Sequence, residues 1–266
     1  MMKHPPESID RGRRDLLGVA AGLTAAVVAP GIVLHAVSAA PTGAPGAAAH
    51  PGAADATVRW GLLIDTDKCR DGCRACVDAC DQEHGLDLQT RPTGQSERAW
   101  ADQKAVWIRK AKLADNLTGR VTNLPLMCQH CEHPPCVDVC PTGASFKRAD
   151  GIVLVDRHTC IGCRYCMMAC PYQARSFIHE VLHDQLTRSP RGKGCVESCN
   201  LCVGRRDLGV PSTACADACA AAGHQAIVFG DLKDPQSAIS QALKGLPSRP
   251  LREDLALNTG VRYAGI

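Results

Sequence analysis

Residues 160–171 read CIGCRYCMMACP, in which gaps of two, two and three residues separate four cysteines and Pro171 follows the last. Gaps of two residues let successive side chains point inward from one short loop, so three thiolates converge while backbone amides face the same interior. A cysteine three residues further on stands where the loop becomes a helix, and its side chain points away. This spacing indicates a thiolate site for a polynuclear metal cluster, with the last cysteine directed to a neighbouring cluster.

Three more cysteine groups accompany this third group. The second group keeps the closing Cys-x3-Cys-Pro, the first has three residues after its opening cysteine, and the fourth is interrupted by a long gap. In chain order the four groups are Cys69, Cys73, Cys76 and Cys80; Cys128, Cys131, Cys136 and Cys140; Cys160, Cys163, Cys166 and Cys170; and Cys199, Cys202, Cys215 and Cys219. Four groups of four thiolates are the ligand count of four [4Fe-4S] clusters.

The seventeenth cysteine, Cys195, competes with Cys215 for a place in the fourth group. Cys195-x3-Cys199-x2-Cys202 repeats the opening spacing of the first group, whereas Cys215-x3-Cys219 repeats the closing spacing found in every other group. We prefer Cys215 as the ligand, because the closing spacing is common to all four groups. Cys195 then has the role of a free buried thiol.

An internal repeat gives the fold class. The segment LLID at 62–65 precedes the first group as VLVD at 153–156 precedes the third, and each copy is predicted to be a short strand that leads into a cysteine loop. The third group has the spacing of bacterial ferredoxins. We therefore predict an α+β, loop-rich, nested double ferredoxin-like domain with short strands and helices. Its inner unit covers 124–180, and its outer unit is assembled from 58–81 and 195–230.

The composition indicates what holds the core together and which class of partner is not expected. The chain of 266 residues has only three each of Trp, Tyr and Phe, so metal clusters rather than aromatic packing are expected to hold the core together. Basic and acidic residues nearly balance, 30 against 27, and no Lys/Arg block with interleaved aromatics occurs, so no nucleic-acid partner is expected.

Other uses of the cysteines are disfavoured by their spacing. Zinc ribbons do not use a fourth cysteine three residues after a third, and cysteines in Cys-x2-Cys-x2-Cys are too crowded to form disulfides among themselves. No Cys-x2-Cys-His motif for covalent haem occurs.

The N-terminus resembles a twin-arginine export signal. Arg13 and Arg14 precede a weakly apolar run that is rich in Ala and Gly, and small residues at 36–40 offer a cleavage site. We predict a signal peptide over 1–40, and hence a periplasmic protein; a single membrane anchor is the alternative. Residues 41–57 are predicted to be a flexible linker. The four-cluster domain is predicted over 58–230, and a C-terminal helix and extended arm over 231–266.

From Val58 onward the chain resembles the four-cluster ferredoxin-like subunits that pair with molybdopterin oxidoreductases, hydrogenases and membrane quinone-interacting proteins. Three stretches carry this resemblance: RWGLLID at 59–65, MCQHCEHPPC at 127–136 and CIGCRYC at 160–166. Within that family they look most like the exported iron-sulfur subunits of membrane complexes of dissimilatory sulfur metabolism. The resemblance implies electron transfer rather than catalysis, and no Ser/His/Asp, Walker or Rossmann signature argues for an enzyme.

The resemblance also implies partners and ligand pairing. The partners would be an integral membrane quinone-interacting subunit, a c-type cytochrome and further iron-sulfur subunits; the alternative is a periplasmic molybdopterin oxidoreductase or hydrogenase. Each closing cysteine would serve the cluster of another group. In this pairing Cys170 joins Cys128, Cys131 and Cys136; Cys140 joins Cys160, Cys163 and Cys166; Cys219 joins Cys69, Cys73 and Cys76; and Cys80 joins Cys199, Cys202 and Cys215.

Polar residues near the ligands are expected to have secondary roles. Five basic residues either offset the negative charge of the clusters or form a solvated surface: Arg70, Arg74, Lys147, Arg148 and Arg164. Four histidines are expected at the surface or beside ligands, because sixteen thiolates already satisfy four clusters: His130, His133, His158 and His179. A strand pair is predicted around the turn at 115–119, with its strands at 105–109 and 119–121.

Overall fold

The computed structural model describes residues 54–266, so the predicted signal peptide at 1–40 and the linker up to residue 53 lie outside the described residues. The strands are β1 (Trp60–Asp65), β2 (Arg109–Ala114), β3 (Val121–Leu126), β4 (Ser145–Lys147), β5 (Val153–Val155), β6 (Ser176–Phe177), β7 (Val196–Glu197), β8 (Ile227–Asp231), β9 (Ser248–Arg249) and β10 (Val261–Ala264). The helices are α1 (Ala75–His84), α2 (Glu97–Gln103), α3 (Pro135–Asp138), α4 (Tyr165–Ala169), α5 (Val203–Asp207), α6 (Ala214–Ala221) and α7 (Ala238–Gly245), with a 3-10 turn at Glu253–Leu255. Short helices and short strands are mixed along the chain, as the predicted α+β class requires.

The largest sheet has four strands in the order β8-β1-β10-β9. β1 runs antiparallel to β8 and parallel to β10, so that Leu62 lies opposite both Phe229 and Val261. Both faces of β1 are covered: Leu63 packs against Ile239 of α7, and Leu62 belongs to the cysteine-containing core on the other side. A strand buried on both faces needs a continuous apolar run, which explains LLI at 62–64.

The C-terminal segment forms the helix α7, but its end is a strand of the largest sheet and not the predicted extended arm. Its last strand, β10, is inserted between β1 and β9, and its Val261 and Tyr263 are fully buried. The Tyr263 hydroxyl donates to the carbonyl oxygen of Pro125, 3.0 Å away. An unpaired edge of β1 would leave backbone N–H and C=O groups without partners. β8 pairs with one edge, and the C-terminal strand pairs with the other.

The two copies of the internal repeat have matching strand pairings. β1 leads into the first cysteine group and pairs antiparallel with β8, while β5 leads into the third group and pairs antiparallel with β4. β8 follows α6 and β4 follows α3, so each partner strand comes directly after a helix of another cysteine group. The helices pair in the same way, α1 with α6 and α3 with α4.

A hairpin forms around residues 115–119, but its first strand lies later than predicted. β2 begins at Arg109 rather than at residue 105, and it pairs with β3 from Arg109 opposite Leu126 to Ala114 opposite Val121. Trp107, which the sequence placed in the strand, is buried, and its Nε1 donates to Glu197, 3.0 Å away. Tertiary burial of the indole therefore takes this segment out of the hairpin.

Two glycines at equivalent loop positions give a matched prediction. Gly72 precedes Cys73 and Gly162 precedes Cys163, and both have φ +71°. An alanine Cβ at position 72 would meet nothing within 4 Å, whereas at position 162 it would lie 2.3 Å from the carbonyl oxygen of Gly194. We expect Gly72→Ala to cost about 1–2 kcal/mol of stability from the left-handed backbone alone. Gly162→Ala adds a backbone clash and should release the cluster of its loop.

The comparison is made by counting iron in the two purified variants and by denaturant unfolding. We expect Gly72→Ala to hold the wild-type iron content and Gly162→Ala to lose about four iron atoms per molecule. Equal iron loss in both variants would contradict the role of the clash and would leave backbone strain as the common cause.

Candidate metal centres

All 17 cysteines lie in the described residues and are free thiols. Cys76 and Cys80 are four residues apart on α1, and Cys215 and Cys219 are four residues apart on α6, so each helix presents two thiols on one face. Because α1 and α6 pack together, these four thiols meet at one helix contact. Cys136 lies on α3 and Cys166 on α4, which also pack together.

The thiols of the second group lie beside Cys170 of the third. Burial first, and then the neighbouring thiols of Cys128, Cys136 and Cys170, raise the pKa of Cys131 to about 12. Cys128 is buried as well, and burial raises its pKa to about 12. We refer to Cys128, Cys131, Cys136 and Cys170 as centre A.

The thiols of the third group lie beside Cys140 of the second. Burial raises the pKa of Cys166, Arg175 opposes the rise, and the thiols of Cys160 and Cys140 add to it. Cys163 is exposed on the loop between Cys160 and α4. We refer to Cys160, Cys163, Cys166 and Cys140 as centre B.

The thiols of the first and fourth groups also lie beside one another. Burial and the thiols of Cys199, Cys215 and Cys202 raise the pKa of Cys80 well above its usual value. Burial, and then the thiols of Cys215, Cys69 and Cys219, raise the pKa of Cys76 to about 12. We refer to Cys69, Cys73, Cys76 and Cys219 as centre C, and to Cys199, Cys202, Cys215 and Cys80 as centre D.

These donor sets fit iron-sulfur clusters. A buried thiol among other thiols is a poor anion by itself, because nothing compensates its charge, and bound iron supplies that charge in place of the proton. In a cubane each of the four irons takes one thiolate, so the four sulfurs need not converge on one point. In the described residues no three His, Cys, Asp or Glu side chains converge as they would around a single ion.

Backbone amides complete the surroundings of the closing cysteines. Three amide N–H groups donate to the sulfurs of closing cysteines: Ser145 to Cys140 at 3.3 Å, Ala174 to Cys170 at 3.5 Å and Ala226 to Cys219 at 3.3 Å. In each case the donor lies after the helix, where the chain turns back over the cysteine. Hydrogen bonds to cluster sulfurs are one of the means by which proteins set cluster potentials.

Cys195 lies at centre B and not at centre D. Its thiol donates to the carbonyl oxygen of Arg157, 3.3 Å away, and the Cys160 thiol is a neighbour that helps raise its pKa after burial. Cys215, in contrast, is fully buried and adjoins Cys202 and Cys80. The geometry favours Cys215 over Cys195 as the ligand in the fourth group, although the ligand assignment itself stays a prediction.

We expect Cys215→Ala to lose about four iron atoms per molecule and Cys195→Ala to lose none. The reason is that Cys195 is separated from the other fourth-group thiols, while Cys215 lies among them. Iron analysis and the electron paramagnetic resonance (EPR) spectrum of each variant, purified without oxygen, make the comparison. If Cys195→Ala lost a cluster and Cys215→Ala kept all four, the assignment of these two residues would be reversed.

The histidines and basic residues separate into surface groups and buried groups. His133, His158 and His179 are exposed. His130 is buried: its Nδ1 accepts from the amide of Val153 at 3.0 Å, and its Nε2 is a buried nitrogen without a protein partner. Arg70, Arg74 and Arg164 are exposed, whereas Lys147 pairs with Glu132 and Arg148 with Asp150 and Asp207.

Two buried residues near the thiols were missed by sequence reasoning. The ring of His84 lies 4.4 Å from that of Trp107, with Nε2 3.6 Å from the Cys202 sulfur; burial lowers the pKa of His84 to about 3. Arg175 donates from Nη2 to the Cys136 sulfur at 3.1 Å. Neither residue belongs to a sequence motif. Only the position of Arg175, five residues after Cys170, could have suggested that it lies near a cluster ligand.

Comparison with known proteins shows that the chain is similar to 4Fe-4S iron-sulfur proteins. Two family models, both described as a 4Fe-4S dicluster domain, match residues 120–231 and 68–144. The chain is 40% identical over 232 residues to the Hdr-like menaquinol oxidoreductase iron-sulfur subunit 1 of Archaeoglobus fulgidus, covering 77% of this sequence and 83% of that protein. It is 38% identical over 207 residues to protein NrfC of Escherichia coli, covering 76% and 78%. It is 34% identical over 197 residues to one component of the polysulfide reductase of Wolinella succinogenes, covering 74% and 89%.

Proposed function

Since this protein belongs to the family of 4Fe-4S dicluster proteins that are iron-sulfur subunits of oxidoreductases, we propose that it relays single electrons through four [4Fe-4S] clusters in a membrane-bound respiratory complex of dissimilatory sulfur metabolism. It is an electron-transfer subunit and not a catalytic one. When bound, each cluster accepts and releases one electron without making or breaking covalent bonds. The work of the protein is to hold the clusters near one another, exclude water and set their potentials.

The observation that carries this proposal is the proximity of thiols that belong to different cysteine groups. In each of centres A to D, the thiols of one loop lie beside the closing cysteine of another group. Such exchange of the closing cysteine is typical of two-cluster ferredoxins, in which it brings neighbouring clusters close together. We infer that centres A and B form an inner pair and centres C and D an outer pair.

The nested arrangement is part of the proposal. The pairing of β1 with β8 joins the two ends of the outer unit, and the pairing of β4 with β5 joins the two halves of the inner unit. An inner unit over 124–180 between two parts of an outer unit, 58–81 and 195–230, accounts for both ladders. The matching helix pairs support the same division.

The partners are inferred from resemblance. Three stretches, at 59–65, 127–136 and 160–166, look most like DsrO, the exported iron-sulfur subunit of the DsrMKJOP complex. One relative is a subunit of a menaquinol oxidoreductase, which supports an integral membrane quinone-reactive partner. We further propose a c-type cytochrome and additional iron-sulfur subunits as partners. No helix within residues 54–266 has the length and apolar character needed to cross a bilayer.

Export to the periplasm by the twin-arginine route belongs to the proposal as well. It rests on the Arg13-Arg14 pair and the weakly apolar run that follows it. Such signals export folded proteins, which suits a protein that must receive its clusters in the cytoplasm before it crosses the membrane. The protein would be held at the membrane through its partners.

A second candidate is supported by the relatives that are components of reductases. These are the polysulfide reductase component of Wolinella succinogenes and a component of the tetrathionate reductase of Salmonella typhimurium, the latter 37% identical over 185 residues. The alternative function, which the family resemblance implies, is electron transfer for a periplasmic molybdopterin oxidoreductase or hydrogenase. The same four centres would serve it, and only the terminal partner would differ.

The test is an anaerobic affinity purification of the tagged full-length protein from detergent-solubilised membranes, with mass spectrometry of partners and an iron count on the same sample. We expect about 16 iron atoms per molecule. Recovery with a quinone-reactive membrane protein and a haem c subunit would support the first candidate. Recovery with a molybdopterin or hydrogenase catalytic subunit would select the second. A solitary protein that carries zinc or no metal would overturn both.

A further inference from the structure

Arg175 lies between the thiols of centres A and B. It follows Cys170 in the chain and comes directly before β6, and its side chain is buried, with 5% of the residue exposed. Its Nη2 donates to the Cys136 sulfur of centre A at 3.1 Å and to the Ser145 hydroxyl at 2.7 Å. The Cys166 thiol of centre B is also a neighbour of the guanidinium. One cation therefore adjoins a ligand of each inner centre.

The charge of Arg175 has no carboxylate to balance it. Arg191, the other deeply buried arginine within residues 54–266, is paired with Glu197 at 2.5 Å. Arg175 forms no ion pair with any Asp or Glu in that range. A buried cation without an anion is costly, so the compensating charge must come from the thiolates. An arginine side chain stays protonated in proteins, so Arg175 brings a full positive charge into this interior.

The second terminal nitrogen of Arg175 points to the same conclusion. Its Nη1 is buried and has no hydrogen-bond partner in the protein. A guanidinium N–H group is an obligatory donor, and leaving it unpaired in the interior costs the free energy of its lost hydration. The thiolate and sulfide sulfurs of a bound cluster are acceptors of the kind that this nitrogen lacks.

We propose that Arg175 is a shared electrostatic bridge between the two inner clusters, which stabilises the reduced form of both and so raises both of their potentials. This inference rests on the proposed function, because it requires clusters at centres A and B. An electron added to a cluster makes it more negative, and a fixed positive charge at the ligand sulfur, away from water, favours that state over the oxidised one. Because the cation adjoins Cys136 and Cys166 alike, its effect extends to both clusters and not to centres C and D.

The test is an EPR-monitored redox titration of the anaerobically purified full-length protein, and iron is counted before each titration. We expect Arg175→Met to keep about 16 iron atoms and to lower two of the four midpoint potentials. The ratio of reduced to oxidised cluster at a given potential should fall about tenfold for each of those two, which is about 59 mV for a one-electron couple. The two shifted signals should be those lost in Cys136→Ala and Cys166→Ala.

Two further variants separate charge from packing. Arg175→Lys keeps the charge and should restore most of both potentials. Arg164→Met removes an exposed cation from the centre B loop and should leave all four potentials unchanged, because water screens that charge. If Arg175→Met does not hold its iron, Arg175→Gln, which is neutral but retains an N–H donor, is titrated with the same expectation.

Four unchanged potentials in a fully loaded Arg175→Met protein would overturn the proposal and leave Arg175 a packing residue. A uniform shift of all four would overturn it too, because the effect would then not be confined to centres A and B. If the wild-type protein showed no iron-sulfur signal at all, the proposed function itself would fail, and the two failures are thus distinguishable.

Discussion

Replacing Cys80 with alanine should remove the cluster of the fourth cysteine group, although Cys80 belongs to the first group in the sequence. The Cys80 thiol is buried at 4% exposure and lies among Cys199, Cys202 and Cys215. Alanine leaves that cluster with three thiolates in a site that water does not easily reach to supply a fourth ligand. We expect the iron content to fall from about 16 to about 12 atoms per molecule.

Double variants make this expectation specific. Cys80→Ala combined with Cys202→Ala should lose no more iron than either single variant, because both residues serve centre D. Cys80→Ala combined with Cys76→Ala should lose two clusters and retain about eight iron atoms, because the two residues serve different centres although they are neighbours on α1. Cys195→Ala is the matched control and should keep all four clusters. If the Cys76/Cys80 double variant lost only one cluster, each group would bind its own cluster and the exchange of closing cysteines would be wrong.

Replacing Glu197 with alanine should produce a large loss of stability without removing any cysteine. Glu197 accepts from Nε and Nη2 of Arg191 and from Nε1 of Trp107, and both members of the ion pair are almost completely buried. Removing the carboxylate leaves the guanidinium of Arg191 without an anion in the interior. Breaking a buried pair in this way costs about 3–5 kcal/mol.

The measurement is the denaturant midpoint of the anaerobic, cluster-loaded protein, followed by tryptophan fluorescence. Glu197→Ala should unfold at a clearly lower denaturant concentration, whereas Asp254→Ala, which breaks the exposed pair with Arg252, should leave the midpoint at the wild-type value. Combining Arg191→Met with Glu197→Leu should recover part of the loss, because neither charge is then left unpaired. Equal midpoints for Glu197→Ala and Asp254→Ala would show that the buried pair contributes no more than the exposed one.

Local spacing made much of this protein predictable. Cysteine gaps of two and three residues, together with the repeated apolar tetrapeptides at 62–65 and 153–156, predicted metal-cluster loops fed by short strands, and β1 and β5 lie where those tetrapeptides are. The 4Fe-4S dicluster family models cover the same cysteine groups. These features are local because a few consecutive residues determine where each thiol can point.

Other features could not be predicted in the same way. The spacing predicts that a closing cysteine leaves its own loop, but not which loop it reaches; the family resemblance implied the pairing, and the contacts of α1 with α6 and of α3 with α4 bring those thiols together. Trp107 was expected in a strand, but it is drawn out of the hairpin by its hydrogen bond to Glu197. Arg175 had no motif of its own, since its importance comes from an unpaired charge that exists only in the folded interior.

By itself, then, the sequence determined the type of cofactor, the set of candidate thiolates and the strands that precede the first and third cysteine loops, because these depend on neighbours along the chain. Only the tertiary structure decided that Cys195 lies at centre B, that β10 completes the central sheet and that Arg175 stands between Cys136 and Cys166. Each of these depends on contacts between residues far apart in the sequence. Such contacts follow from the burial of apolar surface and the balance of charges in the whole fold, and no short segment carries that information.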